Sequence, residues 1–497
     1  MASATGRRIE TGLPSASLVV FVVALTVLRL VVAGTAGLVD DETYYRLWSE
    51  NLQFGYLDHA PMVAWLIAAG RALAGEGPLG VRLAAAPMMA IGSFLLWRAV
   101  ALIDGRRIAD LAVVWFNATL LAGAGAIVMT PDTPAVFFWG ATVWALAELA
   151  ASGDRRWWLV VGVVAGLGLA SKYSVLFLGL GIGVWLLATA ETRRMLASPW
   201  LWAGGAIALA TFAPVVAWNA DHQWMSFAKQ FGRTVPKEWR PEKVAEFVGV
   251  QILLIGPAMV PFVGLGLAAT RAVGDAAGAA GRWLPIATSA PFLAYLLFHS
   301  LHGGIEGNWP APLYPAIAWM AARGFAALDG AAGAWAARWR RLAPLVAPIG
   351  FGLTALLYLH AAIGLVILPA NRDPTAQMRG WDGFAAQVDA VARGYGATWI
   401  AAANYTLYGQ LAYRLGTERV VALDERERYG HLPPLDLERI AGKAILVTRA
   451  GRGTVELFRS RFGSITPLGV EARVERGVAI EEHELFLLAD PIGPPPR

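Results

Sequence analysis

The strongest constraint on this chain is a recurring apolar run of about twenty residues, the length a helix needs to cross the hydrocarbon of a bilayer. About eleven such runs are expected, near 16–38, 80–102, 110–128, 133–150, 157–171, 174–190, 199–218, 245–267, 283–300, 310–326 and 343–368. Composition agrees with them. Of 497 residues, 57% are hydrophobic and 15% are charged, whereas a soluble chain carries roughly a quarter charged residues. The predicted fold class is therefore an α-helical polytopic membrane protein. Its 21 Trp suit anchors at the membrane–water boundary, where indole rings concentrate. The first run lacks a small-residue cleavage site and is read as a retained span rather than a signal peptide.

Arginines assign the two sides. Arg7 and Arg8, Arg106 and Arg107, Arg155 and Arg156, Arg193 and Arg194, Arg271 and Arg282, then Arg338, Arg340 and Arg341 fall in alternate connections. The positive-inside rule makes that side cytoplasmic. The opposite connections read DDET…GYLDHAP, TPDTP, SKYS, WNADHQW…PKEWRPEK and HSLHGGIEGNWPAP. They are rich in acids, His, Asn, Trp and Pro, so the polar chemistry gathers on the outer face. The net charge of +5 comes mostly from the cytoplasmic arginines, and no Lys/Arg tract interleaves with aromatics, which argues against nucleic acid as a partner. The absence of Cys excludes disulfides and thiolate metal sites.

Beyond residue 368 the sequence turns polar, which divides the chain into a membrane domain, 1–368, and a small α/β domain, 369–497. ATWIAAA, ERVVAL, KAILVT and HELFLLA read as strands. WDGFAAQVDAVARGY and YTLYGQLAYRLG read as amphipathic helices between them. An odd span count puts this domain outside. It has no Gly-rich phosphate loop. There is no convincing internal repeat; a Gly/Ala-rich loop at 272–281 and a PPP tail are the compositionally biased stretches.

The densest outer segment is GLVDDETYYRLWSENLQFGYLDHAPM, residues 37–62. Asp40, Asp41 and Glu42 stand at the exit of the first span, where charge is tolerated at the water boundary or where function requires it. Tyr44, Trp48 and Leu52 recur every four residues and predict one apolar stripe on a short interfacial helix. PMVAWLIAAGRALAG, residues 61–75, is apolar but too short to span and predicts a second interfacial or re-entrant helix. Two flat helices flanking acids make a cavity at headgroup depth, the depth of a lipid phosphate and its attached sugar. The three acids could equally stabilise the N-terminus of the helix they open.

An acidic pair after the first span, an aromatic helix and then GYLDHAP resembles the bacterial GT-C glycosyltransferases, in particular the protein-mannosyltransferase-like family and the aminoarabinose transferases that modify lipid A. VRLAAAPMMAIGSFLLW, TPDTPAVFFW, GLASKYSVLF and GNWPAPLYPA follow in consistent order, so the resemblance covers roughly the first 320 residues. The C-terminal domain matches only in size and position. The resemblance implies a GT-C-like fold, a polyprenyl-phosphate sugar donor, and transfer at the periplasmic face of a bacterial inner membrane to a lipid or glycan acceptor such as lipid A or lipopolysaccharide. A protein hydroxyl is the alternative acceptor. Inverting displacement needs one carboxylate as general base. Motif matching gives that role to Asp41, with Glu42 or Asp40 as substitutes.

The remaining site expectations follow the outer loops. Asp40, Tyr45, Asp58 and His59 are expected to position sugar or acceptor, and Asp132 of TPDTP occupies a family acidic position, although it could serve as a turn residue. Lys172, with Tyr173 beside it, could meet the donor phosphate as a point charge or snorkel to headgroups; Arg82 is a second phosphate candidate. Glu306, Asn308 and Trp309 are expected to line the cavity. His299, His302 and Glu306 could instead be metal ligands, but the Gly pair between them interrupts a shared face. No cofactor is expected beyond the lipid-linked donor, with a divalent cation left open. The 219–245 loop, with Asn219, Asp221, His222 and Lys237, covers the site or is a solvated connection. The competing class is a multi-pass transporter. Transport would place ionisable groups or Gly/Pro breaks near mid-membrane in paired halves, a pattern absent from this sequence.

Overall fold

Helices lie beneath the predicted spans in the structure, a computed structural model that describes residues 13–235, 238–272, 278–329, 331–433 and 437–492. Arg7, Arg8, Lys237 and the PPP tail lie outside the described residues, as does part of the 272–281 loop. Five helices are long and apolar enough to cross a bilayer alone: Ala16–Thr35, Pro78–Asp104, Asp132–Ser152, Pro199–Asp221 and Ala334–Ile363. Two bent pairs raise the number among the described residues to seven. On Ala16–Thr35 the residues Val20, Val23, Val27 and Val31 are exposed while Val22, Arg29, Val32 and Ala33 are buried. An exposed stripe of valines at helical spacing suits hydrocarbon, not water. The chain is a membrane protein.

Breaks in the spans have local causes. Thr119 takes extended backbone (ψ 137) and its hydroxyl accepts from the Ala122 amide, ending Arg106–Ala118 and starting Leu120–Gly125. Within the run expected at 245–267, Glu242–Ile255 and Val260–Thr270 meet at 95°. Gly256 there has φ +100, a region open to glycine, and Pro257 has no amide to continue the first helix.

Two compact units divide the chain: the residues through Leu30, 84–127 and 131–356 form one, and 31–83, 128–130 and 357 onward form the other. In the first, large aromatics such as Trp139, Trp158, Trp185 and Trp319 fill the core. Asp104 accepts from Trp319 Nε1 (2.5 Å) and Arg323 Nε (2.9 Å), and Arg323 Nη1 reaches Thr270 Oγ1 (2.9 Å). A buried charge of this kind persists because it is paired and hydrogen-bonded. Helices Trp157–Leu169 and Pro199–Asp221 meet on glycines. A Cβ on Gly162 would lie 2.2 Å from Gly204 O, and one on Gly204 would lie 2.2 Å from Trp158 O. Small residues of this kind let membrane helices pack backbone to backbone.

The second unit carries the sheet. Its strands are β1 (Trp399–Ala402), β2 (Val420–Ala422), β3 (Ala444–Arg449), β4 (Phe462–Glu475) and β5 (Val478–Pro491), in spatial order β2-β1-β3-β5-β4. β1 pairs parallel to β2 and β3, while β5 runs antiparallel to β3 and β4. β1 and β2 are buried throughout and β3 nearly so, the pattern of parallel strands covered on both faces. Helix Tyr405–Leu415 is the crossover between β1 and β2. The four predicted strand segments each hold a strand; β4 was not predicted. It carries Gly463, Pro467 and Gly469, with a register shift between Pro467 and Gly469. Arg476 and Gly477, both at positive φ, close the β4–β5 hairpin with the two-residue turn that matches strand twist.

The acidic segment 37–62 folds in this second unit. Helix Asp40–Trp48 ends one turn earlier than the predicted stripe, and Leu52 lies beyond it, 51% exposed. The Tyr56 hydroxyl takes the carbonyls of Trp48 (2.9 Å) and Asn51 (3.2 Å), so the chain turns back there. Met62–Ala74 is the second short apolar helix.

The Gly162/Gly204 contact leaves no room for a side chain. Gly204→Leu is expected to lower the melting temperature in detergent by several degrees, whereas Gly205→Leu, whose Cβ position meets nothing within 4 Å, leaves it unchanged. Equal melting of the two variants would contradict the close approach.

Candidate functional site

The three acids open helix Asp40–Trp48 at its first three positions, where carboxylates oppose the positive end of the helix dipole. Identical chemistry then meets three environments. Glu42 is fully buried and accepts four hydrogen bonds: Val39 N (3.0 Å), Met129 N (2.8 Å), Arg82 Nε (2.7 Å) and Arg82 Nη2 (2.5 Å). Arg82 is buried too. Its other N–H groups take the carbonyls of Ala33 (3.1 Å), Ala36 (2.8 Å) and Gly37 (2.7 Å), the orphan acceptors at the end of the first helix. The structure therefore gives Arg82 and Glu42 to each other and to the backbone.

Asp40 and Asp41 are half-buried. Gln410, on helix Tyr405–Leu415, donates to Asp40 Oδ1 (2.9 Å) and to Leu38 O (3.2 Å). Burial pushes the Asp40 carboxyl up from 3.8 to about 6, against the Gln410 hydrogen bond that favours its charged form. The hydroxyl of Tyr405 lies 3.3 Å from Asp41 Oδ1. Asp58 is buried and accepts from Tyr44 OH (2.8 Å) and from Arg428 Nη1 at its Oδ2 atom. Arg428 also forks onto Glu425, Nε to Oε2 at 2.6 Å and Nη2 to Oε1 at 2.9 Å, and lies over the rings of Tyr44 and Tyr405 at 5.9 and 5.2 Å. Those neighbouring negative charges hold its guanidinium firmly protonated. Tyr45 is buried against Trp48 (4.8 Å between centroids) and meets the half-buried His59 ring edge-on (6.2 Å).

The helical unit holds a second polar group. Lys172 Nζ pairs with Asp132 Oδ1 at 2.6 Å and Asn308 Nδ2 donates to Asp132 Oδ2 at 2.7 Å. Asp132 opens its helix after Pro131, and Lys172 has extended backbone just before the turn Tyr173–Val175. The neighbouring Tyr173 is buried, its hydroxyl 2.9 Å from Ser226 Oγ. Glu306 is exposed, and Trp309 packs on His299 with centroids 5.5 Å apart. His299, His302 and Glu306 are not brought into a metal-holding group; among the described residues no three His, Asp or Glu side chains are. In the 219–245 segment, Asn219 is buried and caps backbone, accepting from Phe227 N (3.2 Å), while His222 stacks on Trp218 at 4.1 Å.

Sequence reasoning placed the acids but missed their partners. Gln410, Tyr405 and Arg428 come from the C-terminal domain, and the separations of 364 to 370 residues leave no local trace. The one available hint was a polar Gln inside the otherwise apolar face of YTLYGQLAYRLG.

A helical membrane chain with a small C-terminal sheet domain and an acid cluster after the first helix is similar in fold to the GT-C glycosyltransferases. The family described as dolichyl-phosphate-mannose-protein mannosyltransferase matches residues 58–218. The lipid A galacturonosyltransferase RgtD of Rhizobium johnstonii is 27% identical over 187 residues, 37% of this chain and 38% of that protein. Among solved structures, ArnT from Cupriavidus metallidurans bound to undecaprenyl phosphate superimposes with a TM-score of 0.67 at 16% identity, covering 95% of this chain and 98% of that one. The apo oligosaccharyltransferase of Archaeoglobus fulgidus gives 0.54 at 11% identity, over 87% of this chain and 69% of that one.

Folded Asp40 keeps its proton to about pH 6, while the unfolded carboxyl releases it near 3.8. Its contribution to stability is therefore fully present below pH 3.8 and is lost as pH rises through 6, leaving a cost on the order of 3 kcal/mol at pH 7.5. Asp40→Asn is expected to raise the melting temperature at pH 7.5 and to leave it nearly unchanged at pH 4. A variant that melts below wild type at pH 7.5 would count against the desolvated carboxylate.

Proposed function

We propose that the protein is a membrane glycosyltransferase that moves a sugar from a polyprenyl phosphate to an envelope acceptor, lipid A or lipopolysaccharide, at the periplasmic face of the bacterial inner membrane. The observation that carries this reading is the half-buried carboxylate of Asp41 at the exit of the first helix, beside a neighbour, Glu42, that is wholly taken up by structure. Asp41 takes the proton of the acceptor hydroxyl as its oxygen forms the bond to the anomeric carbon. The bond from that carbon to the phosphate oxygen breaks, polyprenyl phosphate leaves with the electron pair, and the configuration inverts. Asp40, raised to about 6, is the alternative base, near the range such a group needs. Lys172, held by Asp132, is the proposed phosphate-binding cation, and it is favoured over Arg82 because the Arg82 guanidinium is enclosed.

In this reading residues 1–368 form the membrane domain and 369–497 stand in the periplasm. The RgtD similarity favours a lipid A acceptor; a protein hydroxyl is the second reading, favoured by the family description over 58–218. Tyr45, Asp58, His59, Glu306, Asn308 and Trp309 are proposed to shape the donor and acceptor surfaces.

Asp41→Asn is expected to lower transfer by about 10²- to 10⁴-fold in vesicles supplied with lipid-linked sugar. A loss smaller than tenfold would move the base elsewhere. Orientation has its own check, since the chain has no native Cys. Leu52→Cys should react with an impermeant maleimide in intact spheroplasts and Arg155→Cys only after permeabilisation; the reverse pattern would overturn the periplasmic assignment.

A further inference from the structure

One element of the C-terminal domain packs closely on the acid helix. Helix Tyr405–Leu415 follows β1 after a tight turn in which Asn404 Oδ1 accepts from Leu407 N at 3.0 Å, which fixes Tyr405 as its first residue. One turn further on, Gly409 has no side chain to keep the two helices apart: a Cβ there would lie 2.6 Å from Thr43 Oγ1 and 3.1 Å from Tyr44 N. Tyr405 is set by this approach. Its hydroxyl meets Asp41 Oδ1 at 3.3 Å, and its ring lies between Tyr44 (5.4 Å) and the Arg428 guanidinium (5.2 Å). Arg428 is itself immobilised by Asp58 and Glu425. A base must be within hydrogen-bond reach of the proton it takes and must present the correct oxygen. A phenol hydroxyl at Oδ1 restricts the rotation of the Asp41 carboxylate.

We infer that Tyr405 is a positioning residue for Asp41, supplied by the C-terminal domain, and that Arg428 holds the Tyr405 ring in place. The inference rests on Asp41 being the base. It gives the C-terminal domain a part in the transfer step itself, through the hydroxyl that meets the carboxylate.

The test uses the full-length protein in vesicles with lipid-linked sugar. Tyr405→Phe keeps the ring under Arg428 and removes only the hydroxyl. The expected result is a fall in kcat of about tenfold, the scale of one hydrogen bond to a charged group, with KM for the lipid donor within about twofold of wild type. Tyr405→Leu, which removes ring and hydroxyl together, falls at least as far. If the residue merely packs, Tyr405→Phe matches wild type and only Tyr405→Leu loses activity, and the inference is overturned. A Tyr405→Phe variant that raises KM while keeping kcat overturns it as well. Asp41→Asn is run alongside. Full activity there defeats the assignment of the base, whereas an inactive Asp41→Asn with a wild-type Tyr405→Phe defeats this inference alone.

Discussion

The fold of the segment that follows the first helix depends on one ion pair. Glu42 and Arg82 have no exposure, and between them they hold the amides of Val39 and Met129 and the carbonyls of Ala33, Ala36 and Gly37. Two enclosed charges cost several kcal/mol each to desolvate, and the pair offsets this only because its hydrogen-bonding capacity is filled. Removing one partner strands the other, at a cost of about 3–5 kcal/mol. The end of the first helix, the start of the acid helix and the segment Pro78–Arg82 are thereby fixed in register. Asp40 and Asp41 stand where they do because Glu42 is anchored one residue on.

That anchoring separates three adjacent carboxylates by task. Glu42 is structural. Asp40 is desolvated beside Gln410 and holds its proton to about pH 6. Asp41 meets a phenol hydroxyl and keeps partial exposure. The difference arises from which neighbour each residue faces on a helix only nine residues long, since successive positions point about 100° apart. The C-terminal domain completes two of the three environments, through Gln410 and Tyr405, and neutralises Asp58 through Arg428.

Much of this could be seen in the sequence, and the failures have physical causes. Apolar runs located the helices because lipid demands length and hydrophobicity, both local properties. β1, β2, β3 and β5 were visible as short apolar stretches. β4 was hidden by Gly463, Pro467 and Gly469, residues that weaken a strand signal but are tolerated at an edge with a bulge. The stripe through Leu52 failed because Tyr56, a residue outside the helix, closes its end. Arg82 looked available for a phosphate since its partner, Glu42, lies 40 residues away in the sequence. Arg428 sits in an ordinary charged stretch, ERERYG, and its importance comes from Asp58, 370 residues earlier.

Those long separations bear on how the chain matures during synthesis. Glu42 is synthesised early, but its cation is 40 residues behind and the Met129 amide 87 behind, so these bonds cannot form when it first emerges. Asp58 must wait for almost the entire polypeptide. A ribosome that stops before codon 428 therefore releases a product in which Asp58 lacks its guanidinium partner.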